Sequence, residues 1–112
     1  MITKFHPSLT EDKWGQSDKV KQLLNVAAEF SRARNCLRID DQNGFQNSLD
    51  RAFELIDLTI ADPKWRRGLK ELLRFREQLA ALYIQDKHDI NYFNLLLRAW
   101  LNFNGETARV EI

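Results

Sequence analysis

The residues with the strongest chemical character are the cations of the segment DPKWRRGLKELLRFREQ, residues 62–78. Six Lys and Arg side chains occur there, and only Glu71 and Glu77 follow Asp62 as counter-charges. Clustered cations bind nucleic acid when several of them reach phosphates from one face. The candidate nucleic-acid stripe consists of Arg66, Arg67, Lys70 and Arg74.

Helical geometry leaves two interpretations of this stripe open. With Trp65 as the origin and 100° per residue, four apolar side chains fall within about 40° of its direction: Leu69, Leu72, Leu79 and Tyr83. Arg67, Lys70 and Arg74 fall between about 140° and 200°. A solvated helix face has the same pattern. The formal net charge of +1 and the lack of a known nucleic-acid-reading motif favour a solvated face over a binding surface.

Two arginines break the amphipathic pattern. Arg76 falls at about 20°, inside the apolar arc of its helix, and Arg34 falls between the directions of Leu23, Ala27 and Phe30. An unpaired buried guanidinium is costly, so both require partners. The candidates are Asp57, Asp50 and Asn94. The sequence is compatible with a buried polar layer that fixes helix register, or with an anion site in which Arg34 and Arg76 hold a carboxylate or phosphate.

The remaining chemistry-bearing residues do not form a recognisable site. His6 and His88 fall in predicted connectors, and neither follows a Glu by three residues, as a di-iron bundle would need. The single cysteine, Cys36, has no partner for a disulfide or a zinc site, although Arg32 and Arg38 could lower its thiol pKa. His88 is expected to cap the fourth helix. No phosphate loop occurs, so we expect a non-enzyme without metal or cofactor.

These residues are positioned by a predicted all-α fold, because the apolar residues recur at three and four positions and only four glycines and two prolines occur. We predict an antiparallel four-helix bundle formed by a single domain, residues 1–112, with an irregular N-terminal arm and a short C-terminal tail. The helices are expected at about 18–39, 45–62, 63–84 and 89–103.

Helix-capping, turn and helix-breaking residues define these boundaries. Ser17 is the expected first N-cap, and Asn43-Gly44 supplies a left-handed turn position. Asp62-Pro63 marks a break and a new start, since Asp can cap and Pro is favoured at the first helical position. Asp89 is a possible cap of the last helix.

The fourth predicted helix, INYFNLLLRAWLNF, has more apolar surface than one face requires. Ile90, Phe93, Leu97, Trp100 and Leu101 define its inner side. A helix that is apolar nearly all round is central or covered by a partner. The residues that extend round its side and back, with one outward residue of the second helix, form the predicted oligomer interface: Tyr92, Leu95, Leu96, Phe103 and Leu58.

A two-fold dimer is the simplest arrangement that covers this surface. The alternative is that the arm or the tail covers it, through residues drawn from Phe5, Leu9, Trp14, Val110 and Ile112.

Composition bounds the function. A composition of 44% hydrophobic and 29% charged residues is typical of a soluble globular protein, and we expect neither a secretory leader nor a membrane span, because the apolar runs are short. The single cysteine suits a reducing, cytoplasmic location. The leading hypothesis is a non-catalytic helical module that binds itself and another protein. The alternatives are a nucleic-acid-binding accessory bundle and a small-anion-binding regulatory bundle.

Overall fold

The computed structural model describes residues 4–111, and this part of the chain contains helices and no strand. The predicted all-α class is confirmed. The helices are α1 (Glu11–Gly15), α2 (Lys19–Arg38), α3 (Gln42–Ala61), a 3₁₀ segment (Pro63–Gly68), α4 (Leu69–Tyr83), α5 (Ile90–Leu101) and a final 3₁₀ turn (Thr107–Arg109). The short α1 lies in the segment that was predicted to be irregular.

Aspartates begin all four long-helix regions. Asp18 caps α2 by accepting from the Lys21 N–H at 2.8 Å, so the cap lies one residue after the predicted Ser17. Asp62 accepts from the Lys64 N–H at 3.0 Å, and Asp89 accepts from the Asn91 N–H at 2.8 Å. The expected roles of Asp62-Pro63 and Asp89 are therefore confirmed, and His88 is not the cap of α5.

The turn between α2 and α3 differs from the prediction. Helix α3 begins at Gln42, three residues early, because Asp41 accepts from the Gly44 N–H at 2.9 Å and caps it. The left-handed residue is Asp40, with φ 59°, and Asn43-Gly44 lies inside the first helical turn. Gly44 is required for close approach instead, since a Cβ there would lie 2.4 Å from Asp41 Oδ2 and 2.7 Å from Cys36 Sγ.

The third predicted helix starts as the 3₁₀ segment Pro63–Gly68 and continues as α4. A 3₁₀ helix turns by about 120° per residue, so an α-helical wheel misplaces Arg66 and Arg67 relative to Lys70 and Arg74. The four cations are all exposed, but they do not form one straight helical stripe.

The core lies between long helices that run antiparallel to their neighbours. Phe30 of α2 packs against Phe75 of α4 and against Phe93 and Trp100 of α5, each with ring centroids 6.0 Å apart. The Trp100 indole N–H donates to the Leu23 carbonyl at 2.9 Å. The pairing of residue 23 with 100 and of 30 with 93 makes α5 antiparallel to α2.

This arrangement gives the molecule two distinct ends. The junction end contains α1, the start of α2, the end of α3, the 3₁₀ segment and the end of α5. The connector end contains the end of α2, the turn 39–41, the start of α3, the connector 84–89 and the start of α5. At the connector end, His88 stacks on Phe45 with centroids 4.5 Å apart and lies 3.3 Å from the Gln42 amide, which links the two connecting segments.

Candidate interaction surface

Arg76 finds the partner that its position required. Its Nε donates to Asp57 Oδ1 at 2.6 Å, and its Nη2 donates to Asp57 Oδ2 at 3.2 Å. This bidentate ion pair joins α4 to α3. The guanidinium also lies 5.2 Å from the centre of the Phe53 ring. The hydrogen bond to Asp57 is the main reason that the pKa of Arg76 is raised. Both side chains remain partly exposed, so the pair does not belong to a buried layer.

Asp50 also faces α4, where its hydrogen bond to the Tyr83 hydroxyl raises the pKa of that group, with burial as a second cause. The Tyr83 ring packs edge-on against Phe53 at 5.7 Å. Asp50 and Asp57 thus both contribute to the α3–α4 contact.

Arg34 lies elsewhere, in a cleft lined by Leu97 and Leu101 of α5. Asn94 occupies the same side of α5 by its spacing from those residues. Arg34 Nε and Asn94 Oδ1 are both buried and have no hydrogen-bond partner within residues 4–111. Since Arg34 lies at the α2–α5 contact and Arg76 at the α3–α4 contact, the structure does not bring them together. The two-arginine anion site is therefore wrong, and so is the single layer through Asp57, Asp50 and Asn94.

The predicted oligomer interface is only partly on the surface. Tyr92 and Leu95 are exposed, but Leu58 and Leu96 are buried in the core cluster. Leu58 points away from the α2–α5 core, as expected, yet α1 covers it; its neighbours there include Gly15. The error came from the missed helix α1.

Phe103 also packs within the molecule. It follows the end of α5 and contacts Phe75 and Trp100 at 6.1 Å and 5.6 Å between ring centroids. Leu58, Leu96 and Phe103 are therefore corrected from interface residues to residues packed within the fold.

The alternative, that the arm and tail shelter α5, is also only partly met. Trp14 is buried and Leu9 packs against the core, but they pack with α2 and α3. The tail is tied to α5 by Arg98, whose guanidinium donates to the carbonyls of Ala108 and Val110 at 2.8 Å and 2.5 Å. Val110 itself is exposed, and Ile112 lies outside the described residues. Leu95 stays uncovered.

The connector end carries the most exposed large apolar side chains of the described residues. Ile84 is 80% exposed, Ile39 is 74% exposed and Leu95 is 67% exposed. Ile39 and Ile84 directly follow α2 and α4, and Leu95 lies in the second turn of α5, beside Tyr92. We call Ile39, Ile84, Tyr92 and Leu95 the connector-end patch. The sequence predicted Tyr92 and Leu95 as interface residues. It did not predict Ile39 and Ile84, because these residues follow the ends of α2 and α4, where helical periodicity no longer indicates a direction.

The junction end carries a buried polar network that sequence reasoning also missed. The Trp14 indole donates to Thr59 at 3.0 Å and the Trp65 indole donates to Gln22 at 2.8 Å. The Gln22 amide N–H groups donate to the Trp14 carbonyl at 3.0 Å and to Asp62 Oδ2 at 2.8 Å. The Gln22 side chain therefore joins the Trp65 indole and the Trp14 backbone carbonyl to the Asp62 cap of the 3₁₀ segment.

Lys64 completes this network from the rim. Its ammonium donates to the carbonyls of Gly15 and Ser17 at 2.9 Å and 2.7 Å, and to Asp62 at 3.1 Å. Burial alone would raise the pKa of Asp62, but the hydrogen bonds from Gln22 and Lys64 outweigh it and lower the pKa. The network is a structural device, since the hydrogen-bond capacity of its central side chains is directed at other residues of this chain.

The N-terminal arm is anchored by Glu54. The backbone N–H groups of Lys4, Phe5 and His6 donate to this carboxylate at 3.0, 2.8 and 2.9 Å, and His6 Nδ1 lies 3.1 Å from it. Burial acts to raise the pKa of Glu54, but these hydrogen bonds lower it overall, Phe5 contributing most. The anchored arm forms one wall of a cleft beside α2.

Cys36 does not have the activated character that neighbouring arginines suggested. Burial, followed by the charge and hydrogen bond of Asp41, raises the pKa of its thiol above the ordinary value. His88 links three segments instead of capping α5: its Nε2 lies 3.0 Å from the Leu82 carbonyl and its Nδ1 faces Gln42. The neutral tautomer with hydrogen on Nε2 satisfies both contacts.

The described residues contain neither a candidate metal site nor a candidate membrane-spanning helix. Residues 4–111 contain no group of three His, Cys, Asp or Glu side chains placed to hold a metal ion. None of the helices described there combines the length and apolar character needed to cross a membrane. Comparisons with protein-family models, curated proteins and solved structures found no match to this chain.

Proposed function

We propose that the protein is a non-catalytic helical interaction module that self-associates through α5 and the connector end, and that it binds a further protein in the cytoplasm. The observation that carries the proposal is the connector-end patch. Large apolar side chains exposed singly are ordinary on a protein surface, but clustered ones mark interaction sites. Ile39, Ile84 and Leu95 are the most exposed large apolar residues of the described chain; Ile39 and Ile84 directly follow α2 and α4, and Leu95 lies in the second turn of α5.

Burial of apolar side chains favours self-association, in which the same patch of two copies comes into contact. Fully burying an aliphatic or aromatic side chain stabilises a contact by about 1.5–3 kcal/mol. A two-fold interface buries each patch residue twice, because identical surfaces meet. Eight such side chains are enough to offset the loss of rotational and translational freedom on association, which costs at least about 4 kcal/mol.

Light scattering of the purified chain tests this proposal. We expect a mass of twice the 13.2 kDa chain at tens of micromolar, and the monomer mass for the double variant Ile84→Ser/Leu95→Ser. Leu73→Ser is the matched control, since Leu73 is also an exposed leucine of a long helix but lies near the start of α4. The control should remain dimeric. A monomeric wild-type chain, or a control that dissociates as readily as the double variant, contradicts the proposal.

Nucleic-acid binding is a second candidate, supported by the exposure of Arg66, Arg67, Lys70 and Arg74 within one short segment. Phosphate contacts by these residues predict an affinity for mixed oligonucleotides that falls steeply with salt. Replacing Arg67 and Lys70 together by Gln should then reduce both the affinity and its salt dependence. Absence of salt-dependent binding by the wild-type chain rejects this candidate.

A further inference from the structure

A second feature, separate from the connector-end patch, is a cleft between the N-terminal arm and α2. It has a volume of about 310 Å³, at the lower end of the range for small-molecule sites. Its lining includes Leu9, Lys13 and Trp14 from the arm, Glu29 and Arg32 from α2, and Leu55 from α3. It therefore combines apolar surface with two cations and one carboxylate.

Glu29 is the unusual group in this cleft. Its side chain is only 6% exposed, yet Oε2 has no hydrogen-bond partner among the described residues, whereas Oε1 pairs with Arg32 one helical turn away. A buried acceptor without a donor is unfavourable, and more so when it is charged. The carboxylate is therefore able to accept a further N–H group.

Arg32 pairs with the Glu29 carboxylate, but most of the Arg32 side chain is exposed to solvent. Its side chain is 62% exposed, and Glu29 is its ion-pair partner within the described part of the chain. Solvent competes for the exposed guanidinium and weakens its hold on the carboxylate. A ligand that supplies both an ammonium for Glu29 and a carboxylate for Arg32 replaces this internal pair at little cost.

The charges of the cleft favour such a zwitterion over a simple amine. Lys13 and Arg32 contribute two positive charges against the single negative charge of Glu29, and Lys13 Nζ is positioned by the Ser8 carbonyl at 2.9 Å. An amine alone would leave an excess of positive charge, whereas a carboxylate beside the ammonium balances it. Leu9, Trp14 and Leu55 supply surface for an apolar side chain.

We propose that this cleft binds a free α-amino acid with an apolar side chain. The ligand ammonium donates to Glu29 Oε2. Arg32 turns from Glu29 to the ligand carboxylate, and Lys13 adds a second positive charge there. The apolar side chain lies against the arm. The lining of this site does not include Ile39, Ile84 or Leu95, so its occupancy and self-association are tested by different variants.

Leucine and two analogues test the proposal with the intact chain. We expect L-leucine at millimolar concentration to raise the melting temperature and to shift the fluorescence or the indole NMR signal of Trp14. N-acetylleucine lacks the ammonium and 3-methylbutylamine lacks the carboxylate, so each should bind at least about tenfold more weakly. Binding of all three with equal affinity, or of none, overturns the proposal.

Two variants assign the roles of the charged residues. Glu29→Gln should lower leucine affinity at least about tenfold, because its amide cannot provide a carboxylate for the ammonium. The control Glu77→Gln, at an exposed site on α4, should bind like the wild-type chain. Arg32→Gln should weaken leucine binding but not the binding of 3-methylbutylamine. If Glu29→Gln fails to fold, the Arg32→Gln variant and the analogue series decide; unaltered leucine binding by Arg32→Gln contradicts the assigned exchange.

Discussion

The two ends of the molecule are built from the same antiparallel helices, but they treat large side chains in opposite ways. At the junction end, the indoles of Trp14 and Trp65 are buried and each N–H donates to a side-chain oxygen. At the connector end, Ile39 and Ile84 extend into solvent immediately after their helices end. The difference shows that the ends of a helical fold are not equally closed by the chain itself.

The physical reason lies in the amount of chain available at each end. The junction end is covered by α1 and the 3₁₀ segment, whose backbone groups are held by Lys64 and Asp62. The connector end has only the turn 39–41 and the connector 84–89, and His88 occupies the space between them. These short connectors leave the two isoleucines exposed.

The largest effect that would separate the two ends is the loss of Trp14. Trp14→Ala removes a buried indole and leaves Thr59 without its donor, so we expect the free energy of unfolding to fall by about 3–5 kcal/mol. At protein concentrations low enough to keep the chain monomeric, Ile39→Ala at the connector end should change it by less than about 0.5 kcal/mol. Urea unfolding followed by circular dichroism measures both. A similar loss for the two variants would remove the distinction between a closed and an open end.

Some features of the fold could be predicted from the sequence, and others could not, for physical reasons. The periodic apolar residues of α2 to α5 predicted the long helices, and Asp62-Pro63 and Asp89 marked two helix starts. Helix α1 was missed because five residues carry too little periodicity to distinguish a helix from a loop. Gln22 was missed because a polar residue near a helix start gives no sign that four segments meet there.

The sequence predicted the partner of a single polar residue better than it predicted which polar residues form a common site. The inward position of Arg76 correctly required an acidic partner on α3, and Asp57 is that partner. The anion site paired Arg34 with Arg76, but a helical wheel describes directions within one helix and not the relative placement of two. Glu29 drew no attention, since a Glu with an Arg three residues later is the common pattern of an exposed helix.

Acidification gives an intermediate effect and tests how the arm is held beside the junction end. The pKa of Glu54 is lowered by folding, so its contribution to stability is complete above its ordinary pKa of 4.5 and is lost as pH falls through the lower folded value. Glu54→Gln should cost about 1–2 kcal/mol at pH 7 through weaker hydrogen bonds to the arm, and should reduce the further loss below pH 4.5.

Unfolding curves at neutral and acidic pH measure this effect. Asp62 also has a lowered pKa, so the variant should retain part of the acid sensitivity. The description of the arm fails if Glu54→Gln leaves stability unchanged at pH 7 and preserves the full acid sensitivity of the wild-type chain.

The smallest effect is expected for Arg76, whose ion pair spans α3 and α4 away from the closed network. Arg76→Met retains the apolar stem over Phe53 and frees Asp57, which is already partly exposed and regains water. We expect a loss below about 1 kcal/mol, because a partly solvated pair contributes little. A double-mutant cycle with Asp57→Ala measures the coupling directly. A coupling of about 3 kcal/mol or more would mean that the pair is effectively desolvated, and that charge pairing, in addition to the junction end, fixes how these two helices pack.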